Sequence, residues 1–400
     1  MALLKYLQHY AEDQCQHLPH FEQGYDYALV IPARDEAPGV LDEFERLCQL
    51  NPRLLIILVV NSPEGDTTDD ALGCAARKRY PLRAHADTLE LRAISTSGHL
   101  LVVDRCSRGQ QIPLKQGVGL ARKLGCDIAC QLISDGIVDS PWIFTSDADA
   151  RLPEDYFGAS HQLDAAALTY PFQHKVQHNP LAVLLYEFSI NYYVAGLQHA
   201  GSPYAYPAVG STLALHYRHY ARVRGFPKRA GGEDFYILNK LRKSGAIVSP
   251  ATAPIVLQDR LSHRVPFGTG PALIKINAMD DPVRDFTLYH PGCFDLLQEW
   301  LRAVPTLFAC GDADTAWAHL RATLGQPNLS MLQALGIDKC LAHAYRHSST
   351  SDGFTRHVHN WFDAFRTLKA IHHYRDNGLA SLPFMELITA ESFLQHTAGD

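Results

Sequence analysis

Four strand-sized apolar runs, each ending in a cluster of polar residues, constrain this 400-residue chain more than any other feature. They are Tyr27 to Ile31, closed by Pro32; Leu54 to Val60; Leu100 to Val103; and Trp142 to Thr145. Continuous apolar runs of this length predict strands buried on both faces, and such strands belong to parallel sheets covered by helices. The intervening sequence supplies those helices, over about Leu41 to Leu50, Ala71 to Lys78 and Lys115 to Leu132. The fold class is therefore α/β, with a mostly parallel sheet flanked by helices.

In such sheets ligands bind beyond the carboxyl ends of the strands. Those ends carry Arg34, Asp35 and Glu36; Asn61, Glu64 and Asp66; Asp104 and Arg105; and Asp147 and Asp149. All four clusters are expected on one rim. Asp147-Ala148-Asp149 stands out, because alternate residues of a strand share a face and both carboxylates would point at one spot. Hard oxygen ligands there suit Mg²⁺ or Mn²⁺, with phosphate oxygens of a substrate completing the shell. No GxGxxG follows the first strand and no GxxxxGK[ST] occurs, which disfavours dinucleotide binding and P-loop chemistry.

Composition excludes other classes. A formal charge of -6 gives no general attraction to nucleic acid. Met1 to Gln23 does not read as a signal peptide, and no apolar run is long enough to cross a bilayer. The nine cysteines form no CxxC, and an odd number of scattered thiols points to a reducing cytoplasm. Cys126 and Cys130, one turn apart among apolar neighbours, read as buried thiols.

Residues 1–24 read as a helical lead-in, with Leu3, Leu4, Leu7 and Tyr10 at helical spacing. Pro180 to Leu197 predicts a helix with Leu181, Leu184, Leu185 and Phe188 on its packed face. Leu213 to Leu215, Ile247-Val248 and Ile255 to Leu257 predict short strands. Glu233 and Asp234 open a helix, where its dipole favours acids. Residues 258–271 combine Arg260, His263 and Arg264 with Gly268-Thr269-Gly270, a mix able to close over a phosphate. From about Pro291 the pattern is helical and strand-free: Phe294 to Val304, Thr315 to Leu324, Met331 to His347 and Phe354 to Asn377. His357, His359, His372 and His373 on the last of these read as surface or partner-facing side chains.

Taken in order, these motifs resemble the GT-A nucleotide-sugar glycosyltransferases, family 2 most closely, over about residues 26–270. Val30 to Glu36 resembles the opening V-I-P-A-x-N-E strand, and Val59-Val60-Asn61-Ser62 stands where V-D-D-G-S-x-D is usual. Gly119 to Gly125 is similar to the G-x-x-x-A-R-N-x-G helix, and Asp147-Ala148-Asp149 to the DxD motif. Gly210-Ser211, Arg224-Gly225-Phe226, Glu233-Asp234 and Leu241 to Gly245 follow the G-S, G-G-F, E-D and L-R-x-x-G run. The departures are Asn61 in place of the first acid and Pro63-Glu64-Gly65 in place of the glycine-serine pattern.

The resemblance implies a GT-A domain over 25–288; the helical C-terminal region over 289–400 matches no part of that family and is expected to bind acceptor, form homo-oligomers or both. The resemblance also implies that Pro32, Glu36, Asn61, Arg122 and Asp147 bind a UDP- or GDP-linked sugar, and that Glu233 and Asp234 face a hydroxyl-bearing acceptor as catalytic acids. Asp149, Asp147 and His263 would hold the divalent metal, as a histidine does in mannosylglycerate synthase and its kin. Three alternatives remain open. A nucleotidyltransferase would need a glycine-rich loop after the first strand, which Pro32 to Gly39 lacks. A phosphohydrolase would use Asp147 as nucleophile. A non-catalytic sugar-nucleotide binder or scaffold would rely on the helical region.

Overall fold

A computed structural model describes residues 2–66, 70–262 and 264–389. The chain divides into two compact units, 1–179 with 208–274, and 180–207 with 275–400.

The first unit is built on strands β1 (Tyr27–Ala33), β2 (Leu54–Asn61), β3 (Leu82–Ala86), β4 (Leu89–Ala93), β5 (His99–Arg105), β6 (Trp142–Thr145), β7 (Ala167–Thr169), β8 (Phe172–Lys175), β9 (Leu213–His216), β10 (Ile247–Val248) and β11 (Ile255–Gln258). Among the described residues these form a nine-stranded sheet in the order β10-β7-β9-β6-β1-β2-β5-β4-β3, plus the separate parallel pair β8 and β11. Within the large sheet only β4 and β9 run against the rest. Leu54 to Val60 are at most 1% exposed, as a central strand covered on both faces requires. Each such side chain contributes roughly 1.5–3 kcal/mol of burial. Pro32 is tolerated in β1 because β6 pairs only with Ala28 to Val30, so the missing N–H falls where one neighbour has already left.

Helices α1 (Ala2–His9), α2 (Val40–Leu50), α3 (Ala71–Arg79) and α4 (Gly117–Ser134) belong to this unit. The expected helices of the sheet region all form. The stretch between the second and third expected strands adds the β3–β4 hairpin, which extends the sheet edge with antiparallel pairs. In α1 the buried side chains are Tyr6 and Leu7, while Leu4 is exposed. Cys126 and Cys130 are buried, and all nine cysteines are free thiols.

The second unit is helical. Trp300, Phe294, Leu297, Met331, Leu341, Phe354, Ile371 and Tyr374 belong to its core. Pro180–His199 is a helix as expected, but its buried face is Ala182, Val183, Leu185, Tyr192 and Leu197, and Leu181 and Leu184 are exposed. Two long C-terminal helices are each split in two. Gln326–Leu335 and Ile337–His347 are separated by Gly336, whose φ of +76° ends the first helix in the left-handed region. Ser351–Trp361 and Ala364–Asp376 are separated at Phe362 and Asp363, where the Asp363 carboxylate accepts the Arg366 N–H and starts a new helix. A short antiparallel pair joins β12 (Thr287–Leu288) to β13 (Leu382–Pro383), and β13 lies in the region expected to be strand-free. His372 bonds Tyr289 and His373 bonds Ser330, so these two histidines have partners within the unit. No helix of the described residues is long and apolar enough to cross a membrane.

Candidate functional site

The strand order reverses between β1 and β6. From β1 the chain moves to β2 and β5 on one side, then α4 carries it back to β6 on the other. A crevice opens where adjacent strands send their connections in opposite directions. Glu36 follows β1 and Asp147 and Asp149 follow β6, so the acids sit at that switch point.

The Asp-Ala-Asp segment is a turn beyond the end of β6, so its two carboxylates do not share a strand face. Ser146 N–H still bonds Val30 C=O of β1, and then Ala150 N–H bonds back to Asp147 C=O at 3.2 Å. Backbone bonds in both directions between Arg151 and Val256 pin the far side of the turn to β11. The two carboxylates consequently reach different partners. Asp147 pairs with Arg122, and Asp149 Oδ2 lies 2.9 Å from Arg260 Nη2.

Arg122 is only 3% exposed and its guanidinium is used on every nitrogen. Nε donates to Glu233 Oε1 at 3.0 Å, Nη1 to Thr145 Oγ at 2.9 Å, and Nη2 to Asp147. Burial opposes its charge, but Asp147, Glu233 and Asp234 together hold it protonated more firmly than an ordinary arginine. Gly210 makes room for this side chain, since a Cβ there would stand 2.9 Å from Arg122 Nη2. The acids after β6 and those opening the helix Glu233–Arg242 are thus joined through one guanidinium.

Glu233 is 5% exposed. Asp234 accepts the Phe235 N–H at 2.7 Å, but burial and the neighbouring Glu233 push its carboxyl well above the usual carboxylate range. Burial, Asp147 and Glu36 push Asp149 up to about 6, against the opposing pull of Arg260 and Arg264. A divalent cation would relieve the surplus negative charge around the partly exposed Asp149, and hard carboxylate oxygens are donors of the kind that suits Mg²⁺ or Mn²⁺. Among the described residues no group of three or more His, Cys, Asp or Glu side chains is arranged to hold a metal ion. His263 lies outside the described residues.

Next to Glu36 is a cavity of about 180 Å³, lined among others by Ala33, Glu36, Asn61, Ser62, Asp66 and Arg264; Asp147, Asp149, Glu233 and Asp234 are not among its lining residues. Asn61, 7% exposed, spends its amide hydrogens on the carbonyls of Ala33 and Val59, which fixes it at the cavity wall. Pro32 is buried in β1, one residue short of that wall. Asp35 adopts a φ of +53°, a left-handed conformation that turns the chain sharply at the cavity mouth. Asp104, near the end of β5 beside Val60 of β2, accepts the N–H groups of Cys106 and Ser107 and closes a turn there. Sequence reasoning missed Thr145 as a partner of Arg122, and it did not connect Arg260 to Asp149. The bases in residues 258–271 were the available signal for the second.

No protein-family model matches the sequence, and no curated protein does.

Proposed function

We propose that this chain is a metal-dependent glycosyltransferase of the GT-A type, moving a sugar from a nucleoside diphosphate to a hydroxyl acceptor. The observation that carries the reading is the convergence of Glu36, Asp147, Asp149, Glu233 and Asp234 at the switch point of a mostly parallel sheet, with Glu36 also lining a cavity at the ends of β1 and β2.

In this reading the nucleoside lies in the cavity against Asn61 and Glu36. Asp149, with Asp147, would hold Mn²⁺ or Mg²⁺, which when bound would supply positive charge against the departing diphosphate. Arg122 keeps Asp147 and Glu233 in fixed positions, so the donor and acceptor sides share one frame. The acceptor oxygen bonds to the anomeric carbon as the bond from that carbon to the diphosphate oxygen breaks. The hydroxyl proton passes to Asp234, whose raised affinity for protons suits a general base working near neutral pH.

The test is release of UDP or GDP from a panel of UDP- and GDP-sugars with Mn²⁺, first with water and then with hydroxyl compounds as acceptors. Asp234→Asn is expected to keep nucleotide affinity and lose about 10²- to 10⁴-fold in turnover, the range typical of a missing general base. Full turnover in Asp234→Asn would remove that residue from the chemistry. An absence of turnover across the whole panel would favour a binding protein.

A further inference from the structure

The loop after β11 carries two arginines back onto the acids. Arg260 Nη1 and Nη2 lie 3.0 and 2.9 Å from the two Glu36 carboxylate oxygens, a two-pronged pair. The same Nη2 is 2.9 Å from Asp149 Oδ2. One guanidinium therefore spans the carboxylate that follows β1 and the carboxylate most needed for a divalent cation. Arg264 approaches Glu36 separately, with Nη1 2.5 Å from Oε1.

The two arginines are held differently. Arg264 donates to the carbonyl of Arg34, and Arg34 Nη1 donates to the carbonyl of Arg264 at 3.1 Å, a reciprocal tie of loop to rim. Arg260 makes carboxylate contacts and its side chain is 39% exposed. The loop is anchored just before it by Asp259. That buried carboxylate accepts the N–H groups of Gln177, His178 and Asn179 at 3.0, 2.6 and 3.1 Å. After it, Gly268 at φ +104° leads into the helix Thr269–Asn277, whose first residue bonds His174. The Arg260 side chain between these anchors is partly exposed and, among the described residues, is held by carboxylates alone. If Arg260 leaves, Glu36 still has Arg264.

We propose, resting on the transferase reading above, that Arg260 is an exchangeable counter-ion. Without donor it offsets part of the charge of Asp149 and Glu36. When a nucleoside diphosphate arrives with its divalent cation, Arg260 gives up Asp149 and takes phosphate oxygens, which its planar fork matches. Arg260 and the cation thus compete for Asp149, while Arg260 and the diphosphate attract.

Two titrations read the two halves separately. Free Mn²⁺ is followed by electron paramagnetic resonance as Mn²⁺ alone is added to wild type, Arg260→Met, Arg260→Lys and Asp149→Asn. UDP and GDP are then titrated by calorimetry at saturating Mn²⁺. Arg260→Met is expected to bind Mn²⁺ alone about 10-fold tighter and the nucleotides about 10-fold weaker, each change the size of one charge-assisted hydrogen bond. Arg260→Lys, which keeps the charge but not the fork, is expected to retain near wild-type Mn²⁺ affinity and still bind nucleotide more weakly. A purely structural role would shift both affinities of Arg260→Met in one direction, and that result overturns the proposal. So does an Arg260→Met protein with unchanged Mn²⁺ affinity when Asp149→Asn abolishes Mn²⁺ binding, a result that spares the transferase reading. Equal Mn²⁺ binding by wild type and Asp149→Asn overturns both.

Discussion

Arg122 and Lys123 are neighbours on α4, and each serves a cluster of buried charge. Lys123 faces the N-terminal segment. Its ammonium lies 2.6 Å from Asp127 Oδ2 and 2.9 Å from both the Tyr6 hydroxyl and the Tyr10 carbonyl. Asp127, fully buried, also accepts from Tyr6, from Tyr220 at 2.6 Å and from the Glu12 N–H at 2.9 Å. Glu12 in turn is 2.7 Å from Lys228. Burial pushes the Asp127 carboxyl up as well, against the pull of Lys123 and the hydroxyls of Tyr220 and Tyr6. No second carboxylate is among the main causes of that push, charges there alternate in sign, and Asp127's hydrogen-bonding capacity is taken up by protein. Arg122 faces the rim, where several carboxylates crowd together and Asp149 is pushed up to about 6 by burial and like charge. A matched network holds a fold together, whereas a mismatched one keeps an affinity in reserve for something that is not protein.

The contrast can be broken most directly at its structural end. Asp127→Ala strands a buried ammonium and two buried hydroxyls, and is expected to cost about 3–5 kcal/mol in urea unfolding. A loss below about 1 kcal/mol would mean the N-terminal segment is not tied down as described.

At the rim the expected sign reverses. Asp149 binds protons more tightly folded, at about 6, than unfolded, where the ordinary value is 3.8. Stability therefore falls as pH rises through that window, and the penalty is complete above about pH 6. Asp149→Asn is expected to raise stability by roughly 1–3 kcal/mol at pH 7.5, with the gain fading toward pH 4. A destabilised Asp149→Asn at pH 7.5 would place this carboxylate with the structural network.

The smallest effect sharpens the boundary of the matched cluster. Lys228 is 42% exposed at the outer end of the Glu12 pair, so Lys228→Ala is expected to cost less than about 1 kcal/mol. A larger loss in thermal unfolding would extend the tightly held region to the surface.

Much of the sheet is legible in the sequence because β1, β2, β5 and β6 are nearly continuous apolar runs and their polar ends mark the rim. The β3–β4 hairpin is not, since its strands are short and Leu82 to Ala86 is largely exposed, leaving a weak hydrophobic signal. The breaks at Gly336 and at Phe362-Asp363 are one- and two-residue events inside long helical patterns, where periodicity continues across the interruption. At the site, Asp147, Asp149, Glu36, Glu233 and Asp234 are legible from their positions after strands and at a helix start. What joins them is not. The pairs Arg122–Glu233 and Arg260–Glu36 span 111 and 224 residues, and no local pattern encodes a contact of that reach.

The central claim is that the rim keeps its unmet charge for a divalent cation carrying a nucleoside diphosphate. Isothermal calorimetry of UDP and GDP against wild type and Asp149→Ala, with Mn²⁺ and with excess chelator, tests it most directly. The expected result is binding of one nucleotide by wild type in Mn²⁺, lost both in chelator and in Asp149→Ala. Binding that is equally tight in Asp149→Ala, or no heat from either nucleotide under any condition, would contradict it.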